Sequence, residues 1–257
     1  MSSSQNLIAL HTLVRREVVR IMRIWTQTLI PPAITMTLYF VIFGKLIGGR
    51  IGQMHGFTYM QYIVPGLVMM SIITNSYGNI SSSFFGAKFS RAVEEMLVSP
   101  MPNWVILLGY VAGAVLRGLI VGVLVLCIAL FFTDLHVAHP LITLGSVLMG
   151  ATVFSLAGFV NAVYAKKFDD IALVPTFVLT PLTYLGGVFY SVDLLSQPWR
   201  SISMANPILY MVNAFRFGVL GVSDVDIYVA FGVMSLFVLG LGALGLYLLR
   251  KGVGLRS

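Results

Sequence analysis

The chain has 257 residues, 58% of them hydrophobic and only 10% charged, with a net charge of +7 and a mean hydropathy of +0.93. A soluble globular domain carries about 25% charged residues, so this composition is made for a bilayer and excludes an ordinary water-soluble fold. The single cysteine, Cys127, excludes a disulfide framework and a cysteine-based zinc site; the positive charge belongs to loops on one membrane face, with no call for nucleic acid.

Residues 5–24 read as an amphipathic helix, with Leu7, Leu10, Val14, Val18 and Ile21 in one stripe. His11, Arg15, Arg16, Arg20 and Arg23 face away from that stripe, the pattern of a helix lying among lipid headgroups. A polar helix packed on the protein's own loops would read the same way. The N-terminus lacks the apolar core and small-residue cleavage site of a secretory signal, so nothing is expected to be removed.

Residues 25–47 are the first run long enough to cross a bilayer, which takes about 20 apolar residues. Pro31-Pro32 are expected to kink this span or mark where the interfacial helix gives way to it. After a glycine-rich polar turn over 48–57, the second span covers 59–83, its far half made polar by Asn75, Ser76 and Asn79. The third span covers 105–132, and the fourth covers 141–164 after a short loop with Asp134, His136 and His139. A charged loop at 165–170 precedes a fifth span, 171–190, which contains Pro175, Pro181 and Gly186-Gly187. Residues 191–222 are too polar, and too broken by Pro198 and Pro207, to be an ordinary span. The sixth span covers 227–249 and ends in the basic tail Arg250, Lys251 and Arg256. The fold class is therefore an all-α membrane protein with six transmembrane helices.

Six spans put both termini on one side. That side holds eleven basic residues: Arg15, Arg16, Arg20, Arg23, Lys88, Arg91, Lys166, Lys167, Arg250, Lys251 and Arg256. The other side holds four, Lys45, Arg50, Arg200 and Arg216, while Arg117 lies inside span three. Basic loops stay in the cytoplasm, so both termini are expected there.

Between spans two and three the chain turns amphipathic. Phe89, Ala92, Val93, Met96 and Leu97 recur at i, i+3, i+4, i+7 and i+8, predicting a helix over 87–99 with those residues in one stripe. Lys88, Arg91, Glu94 and Glu95 take its other side, Arg91 and Glu95 being spaced as a surface ion pair; Pro100 and Pro102 stop the helix. A short charged helix between two apolar blocks reads as a docking surface.

Little else carries chemistry. The chain has no zinc-protease motif, no nucleophile elbow, no phosphate-binding glycine loop and no paired intramembrane carboxylates. Arg117, the one formal charge well inside a span, either faces a polar cavity or bonds to carbonyls or to Asn75, Asn79 or Asn161. His136 and His139 have a spacing compatible with a metal, though two histidines in a short loop are more often simply solvated. An intramembrane enzyme and a passive channel or scaffold are the rival classes to a transporter. A transporter without a motor must borrow one, through the helix at 87–99.

The phrase Glu94-Glu95-Met96-Leu97-Val98-Ser99-Pro100, followed by a span opening Leu107-Leu108-Gly109-Tyr110, resembles the cytoplasmic loop of ABC-2-type transporter permeases. Asn206-Pro207 through Phe215-Arg216 resembles that family's stretch before the last span, and Phe168-Asp169-Asp170 through Tyr190 is similar to its YadH-type inner-membrane group. The resemblance implies a coupling helix at 87–99 seated on a separate ATPase, with Phe89, Val93, Met96 and Leu97 in the partner's groove and Arg91, Glu94 and Glu95 at its rim. It implies short re-entrant helices within 191–222. Two permease copies and two ATPase subunits are implied, with ATP and Mg bound by the ATPase and no cofactor or metal in this chain. The path would run along the interface between copies, making Tyr39, Phe40, Asn75, Arg117, Tyr184, Phe189 and Tyr190 candidates to line it; each aromatic can equally be ordinary packing or an interfacial anchor. The implied location is the bacterial inner membrane, and the implied cargo is amphipathic, lipid-linked or saccharide-like.

Overall fold

A computed structural model describes residues 3–254; Arg256, counted in the basic tail, lies outside the described residues. The first helix, α1 (Ser3–Arg23), is separated from α2 (Trp25–Tyr39) by a break at Ile24, where φ is −108° and ψ 31°. The prolines at 31 and 32 therefore do not mark the junction; both lie inside α2. Helical backbone continues through a wide π-type stretch, Phe40–Ile47, into the short α3 (Gly48–Ile51), giving a rod of 27 residues, Trp25–Ile51, that is long and apolar enough to cross a membrane. The expected polar turn is a hairpin, β1 (Gln53–Met54) pairing antiparallel with β2 (Phe57–Thr58). His55 and Gly56 both take positive φ, 51° and 81°, the pair of values a type I′ turn requires.

Helix α4 (Tyr59–Phe89) opens with a reciprocal cap, Thr58 Oγ1 accepting the Gln61 backbone N–H while Gln61 Oε1 accepts that of Thr58. It runs for 31 residues, about 46 Å at 1.5 Å per residue, so it continues well past the span end expected at residue 83. It is also the central helix, packed by α6 (Asn103–Ala129), α7 (Pro140–Tyr164) and α11 (Pro207–Leu220). That position explains its polar half, since Ser76 and Asn79 are buried in protein and not in lipid. Small residues set the approaches. A Cβ on Gly118 or Gly122 of α6 would fall within 2.6 Å of Ser76 or Ile72 of α4, and one on Gly158 of α7 within 2.6 Å of the Tyr77 carbonyl.

Three further rods have the length and apolarity of spans: α6, α7 and the last helix, α12 (Ile227–Lys251), whose first turn is capped by Asp226. They leave large apolar side chains outward, such as Leu108, Val123, Leu144, Leu236, Leu239 and Tyr247, a surface suited to lipid contact.

The fifth expected span, 171–190, is not one α-helix. It is α8 (Phe168–Val174), a π-type stretch at Pro175–Leu179, and α9 (Thr180–Tyr184). Pro175 and Pro181 bring no N–H to the ladder, and Gly187, at φ 69°, turns the chain away before residue 190. Residues 191–222 follow as a single 3₁₀ turn, the short α10 (Trp199–Met204) and α11. Asn206 caps α11 by accepting the Ile208 N–H at 3.0 Å, Pro207 fills its first position, and Gly221 in the left-handed region (φ 75°) ends it.

Candidate functional site

The helix expected over 87–99 is divided. Ala87–Phe89 are the last turn of α4, Ser90 closes it, and Arg91 sits in the left-handed region at φ 61° before α5 (Ala92–Val98) begins. With Arg91 outside α5, its expected i, i+4 pairing with Glu95 is absent, and no ion pair joins the two among the described residues. Val93 is completely buried in the protein's own core beside Phe84, Phe85 and Tyr110, with Met96 and Leu97 packed against the same cluster. Val93 therefore seats α5 on its own chain, while Met96 and Leu97 are only partly covered. Lys88 also turns inward: its Nζ donates to the carbonyls of Val163 (2.6 Å) and Ala165 (2.7 Å), completing the C-terminus of α7, and burial pushes its pKa down.

What faces out is a different set. Phe89 is 68% exposed and Val98 88% exposed, and Arg91 and Glu95 stand between them in the sequence. Phe89 meets Phe168 at the start of α8, ring centroids 5.2 Å apart, and Phe168 is itself 57% exposed. Asp170 fixes that start by accepting the backbone N–H groups of Lys166 (2.8 Å) and Lys167 (3.0 Å), bonds that hold its carboxyl below the usual carboxylate range. The result is an aromatic pair rimmed by charge, mounted on α4 and braced by Val93.

At the opposite end of α4, Arg216 of α11 is completely buried. Its guanidinium donates to the Gly187 carbonyl (2.6 Å), the Tyr62 carbonyl (3.4 Å) and Asn213 Oδ1 (3.4 Å), and its centre lies 4.0 Å from the middle of the Tyr62 ring. Arg216, counted among the basic residues of the outer loops, is thus buried, and no carboxylate forms an ion pair with it among the described residues. Asp224 instead accepts from Ser191 Oγ (2.8 Å), the Val192 N–H (2.9 Å) and Tyr62 Oη (3.4 Å), while Asp226 caps α12. Among the described residues Arg216 and Asp224 are linked through Tyr62 and Asn213, whose Oδ1 accepts the Asp224 N–H at 2.9 Å. This network ties α4, α11 and the turn at Gly187 into one unit.

The remaining candidates fall in two groups. Tyr39, Tyr184 and Phe189 come together, Phe189 lying 5.9 Å from Tyr39 and 6.0 Å from Tyr184, with Tyr190 Oη donating to the Tyr184 carbonyl at 3.0 Å. Phe40 is not with them; it is fully buried against Phe132 at 5.7 Å. Asn75 donates to its own helix, at the Ser71 carbonyl (3.0 Å). Arg117 Nη1 reaches Asn79 Oδ1 at 3.4 Å, and Arg20 of α1 donates to the same oxygen at 2.7 Å. His136 is exposed and His139 stacks on Phe217 at 4.9 Å.

The sequence pattern of the ABC-2 type transporter family matches residues 8–220, which takes in α1 through the Arg216 helix. The chain belongs to the ABC-2 type transporter family. This ABC-2 chain is 57% identical over 250 residues to the inner membrane transport permease YadH of Escherichia coli K12, covering 97% of this chain and 98% of that one. It is 26% identical over 220 residues to nodulation protein J of Rhizobium leguminosarum bv. trifolii, covering 83% and 82%. The bv. viciae protein of the same name is 22% identical over 202 residues, 78% of each chain.

Sequence reading missed one functional-looking residue of the ABC-2 chain. Glu17 is 1% exposed, accepting from Ser83 Oγ (2.7 Å) and Arg20 Nη2 (2.9 Å). Gly109 and Gly113 of α6 make room for it: a Cβ there would lie 2.2 Å from Leu13 and 2.5 Å from Glu17. The four-residue spacing of those glycines was the available signal.

Proposed function

We propose that this chain is the permease subunit of an ATP-driven exporter of the bacterial inner membrane, paired with a second copy of itself and powered by two separate ATPase subunits that bind ATP and Mg. Membership of the ABC-2 family supports the partnership, and the relative named an inner membrane transport permease supports the location. In this reading the chain crosses six times, with α4 and the broken α8–α9 rod as the second and fifth crossings. The 14 residues of α11 span about 21 Å, too short for a hydrocarbon core of about 30 Å, which supports a re-entrant segment. Both termini lie in the cytoplasm, in line with the clustering of basic residues at 15–23, 88–91, 166–167 and 250–251.

The observation that carries the mechanism is the construction of the Phe89–Phe168 surface. A transmission element must be rigid on its own side and open on the other. Val93 anchors α5 in the core, Lys88 locks the end of α4 to the end of α7, and Phe89, Arg91, Glu95, Val98 and Phe168 are left for the partner. Closure of the ATPase pair on ATP would push this surface. The push would pass along α4, a single 31-residue helix that carries the load to Tyr62 and the Arg216 network at its far end. The Tyr39–Tyr184–Phe189 cluster then offers aromatic, weakly polar lining to an amphipathic, lipid-linked or saccharide-type cargo at the interface between copies. Co-expression with a candidate ABC ATPase subunit from the same organism, reconstitution in lipid, and assay of ATP hydrolysis with and without the permease test this reading. Hydrolysis stimulated by the permease supports it; an ATPase that neither binds nor responds to the permease overturns it.

A further inference from the structure

A cavity of about 700 Å³ opens between α1 and the end of α4 that carries α5, on the face opposite the Arg216 network. Its α1 wall is formed by Arg15, Arg16, Glu17, Arg20 and Arg23, and Ser83 stands across from them. Four guanidinium groups thus surround one carboxylate, and no other acidic residue lines the space among the described residues. Glu17 is already consumed: both its oxygens take the Ser83 hydroxyl, and Arg20 closes on it at 2.9 Å. Arg16 is held by the Tyr110 hydroxyl. Arg15 and Arg23 have no hydrogen-bond or ion-pair partner among the described residues. Arg16, Arg20 and Arg23 follow at i, i+4 and i+7, so three of the four stand on one stripe of the helix. A cluster with this charge excess, in a cavity too large to be filled by its own side chains, is a site for an anion with several oxygens; guanidinium groups match phosphate in geometry and charge.

We infer that this cavity holds the phosphate-bearing headgroup of an anionic membrane lipid. The lipid is favoured over a free anion by the apolar residues that share the helix: Val19 lines the cavity, and Ile8, Met22 and the adjoining Trp25 are exposed where acyl chains would run. A site for free phosphate needs no such surface. The bound headgroup would neutralise the unspent arginines and pin α1 against α4, the helix that also carries the Phe89–Phe168 surface. With the orientation proposed above this lipid belongs to the inner leaflet; the binding itself does not rest on that orientation.

Native mass spectrometry of the full-length permease in detergent, titrated with phosphatidylglycerol or phosphatidylcholine, is the test. The wild type should retain phosphatidylglycerol over phosphatidylcholine. The variant Arg15→Gln/Arg23→Gln, which removes only side chains free of protein partners, should bind phosphatidylglycerol about 30-fold more weakly, each basic residue near an anionic lipid surface being worth about a fivefold effect. Arg15→Lys/Arg23→Lys should recover most of that loss, and Arg250→Gln/Lys251→Gln, the same charge change elsewhere, should stay within about twofold of wild type. Equal binding of the two lipids, or equal losses in the two glutamine variants, overturns the site. Displacement of phosphatidylglycerol by inorganic phosphate at comparable concentration overturns the lipid assignment. None of these readouts depends on the ATPase, so they fail or succeed independently of the transport reading.

Discussion

Replacing Arg216 by methionine should unfold the α11 end of the molecule before any other part. The side chain is completely buried, no carboxylate lies within ion-pair distance of it among the described residues, and its charge is met by the Gly187 and Tyr62 carbonyls, Asn213 Oδ1 and the face of the Tyr62 ring. Methionine fills much of the volume but donates nothing. It strands the Gly187 carbonyl at a bend whose φ of 69° has few other restraints, and leaves Asn213 with one partner fewer. Leaving a buried acceptor without its donor costs about 1–3 kcal/mol, so losing the Gly187 bond and the weaker ones to Tyr62 and Asn213 should cost about 3 kcal/mol, and for a chain of this size each kcal/mol lowers the melting temperature by about 2–4 °C. The expected loss is therefore about 10 °C in a detergent thermal-shift assay. Arg216→Lys, which keeps the charge and loses the fork, should fall between, and Tyr62→Phe, which removes only the 3.4 Å bond to Asp224, should cost about 1 kcal/mol or less. If Arg216→Met melts within 2 °C of wild type (roughly the effect of 1 kcal/mol), the network is not what holds α11 and the Gly187 turn together.

Other substitutions probe the remaining joints. Gly113→Val places methyl groups where Glu17 Cβ already lies within 2.5 Å of a new Cβ, so it should lower stability by about 1–3 kcal/mol in the same assay, whereas Gly49→Ala, with nothing within 4 Å, should be neutral. Lys88→Met strips two carbonyls at the end of α7 of a charged donor; because Lys88 is only partly buried, about 1–2 kcal/mol is expected, with faster hydrogen exchange at Val163–Ala165. Asp170 has a depressed pKa, so its contribution to the start of α8 is present above the ordinary carboxylate pKa of about 4 and disappears as pH falls through its lower folded value. Exchange at Lys166 and Lys167 should accelerate on acidification in wild type and already be fast at neutral pH in Asp170→Asn.

Long apolar runs announced α6, α7 and α12 to within a few residues, because a bilayer demands length and hydropathy and those are visible locally. The amphipathic loop after α4 was equally visible, but its orientation was not. Periodicity says that Val93, Met96 and Leu97 share a face; it does not say whether that face meets the chain's own core or a partner. Glu17 was hidden for the same reason, since an acid among arginines reads as solvated until α6 supplies Gly109 and Gly113 to receive the helix. Arg216 looked like a loop cation because α11 is too short to register as a span. The breaks in the fifth rod were signalled by Pro175, Pro181 and Gly187, and only the point at which the helix ends, Tyr184, needed three dimensions.

The proposed docking site for a separate ATPase is the exposed Phe89–Phe168 surface, braced by Val93. The most direct measurement is co-elution of the permease with that ATPase in detergent, comparing wild type with Phe89→Asp/Glu95→Arg, both positions on the exposed surface. A stable permease that melts like wild type yet loses the ATPase is the predicted result. An undiminished complex with the double variant would contradict the claim and send the search for the docking surface elsewhere on this face.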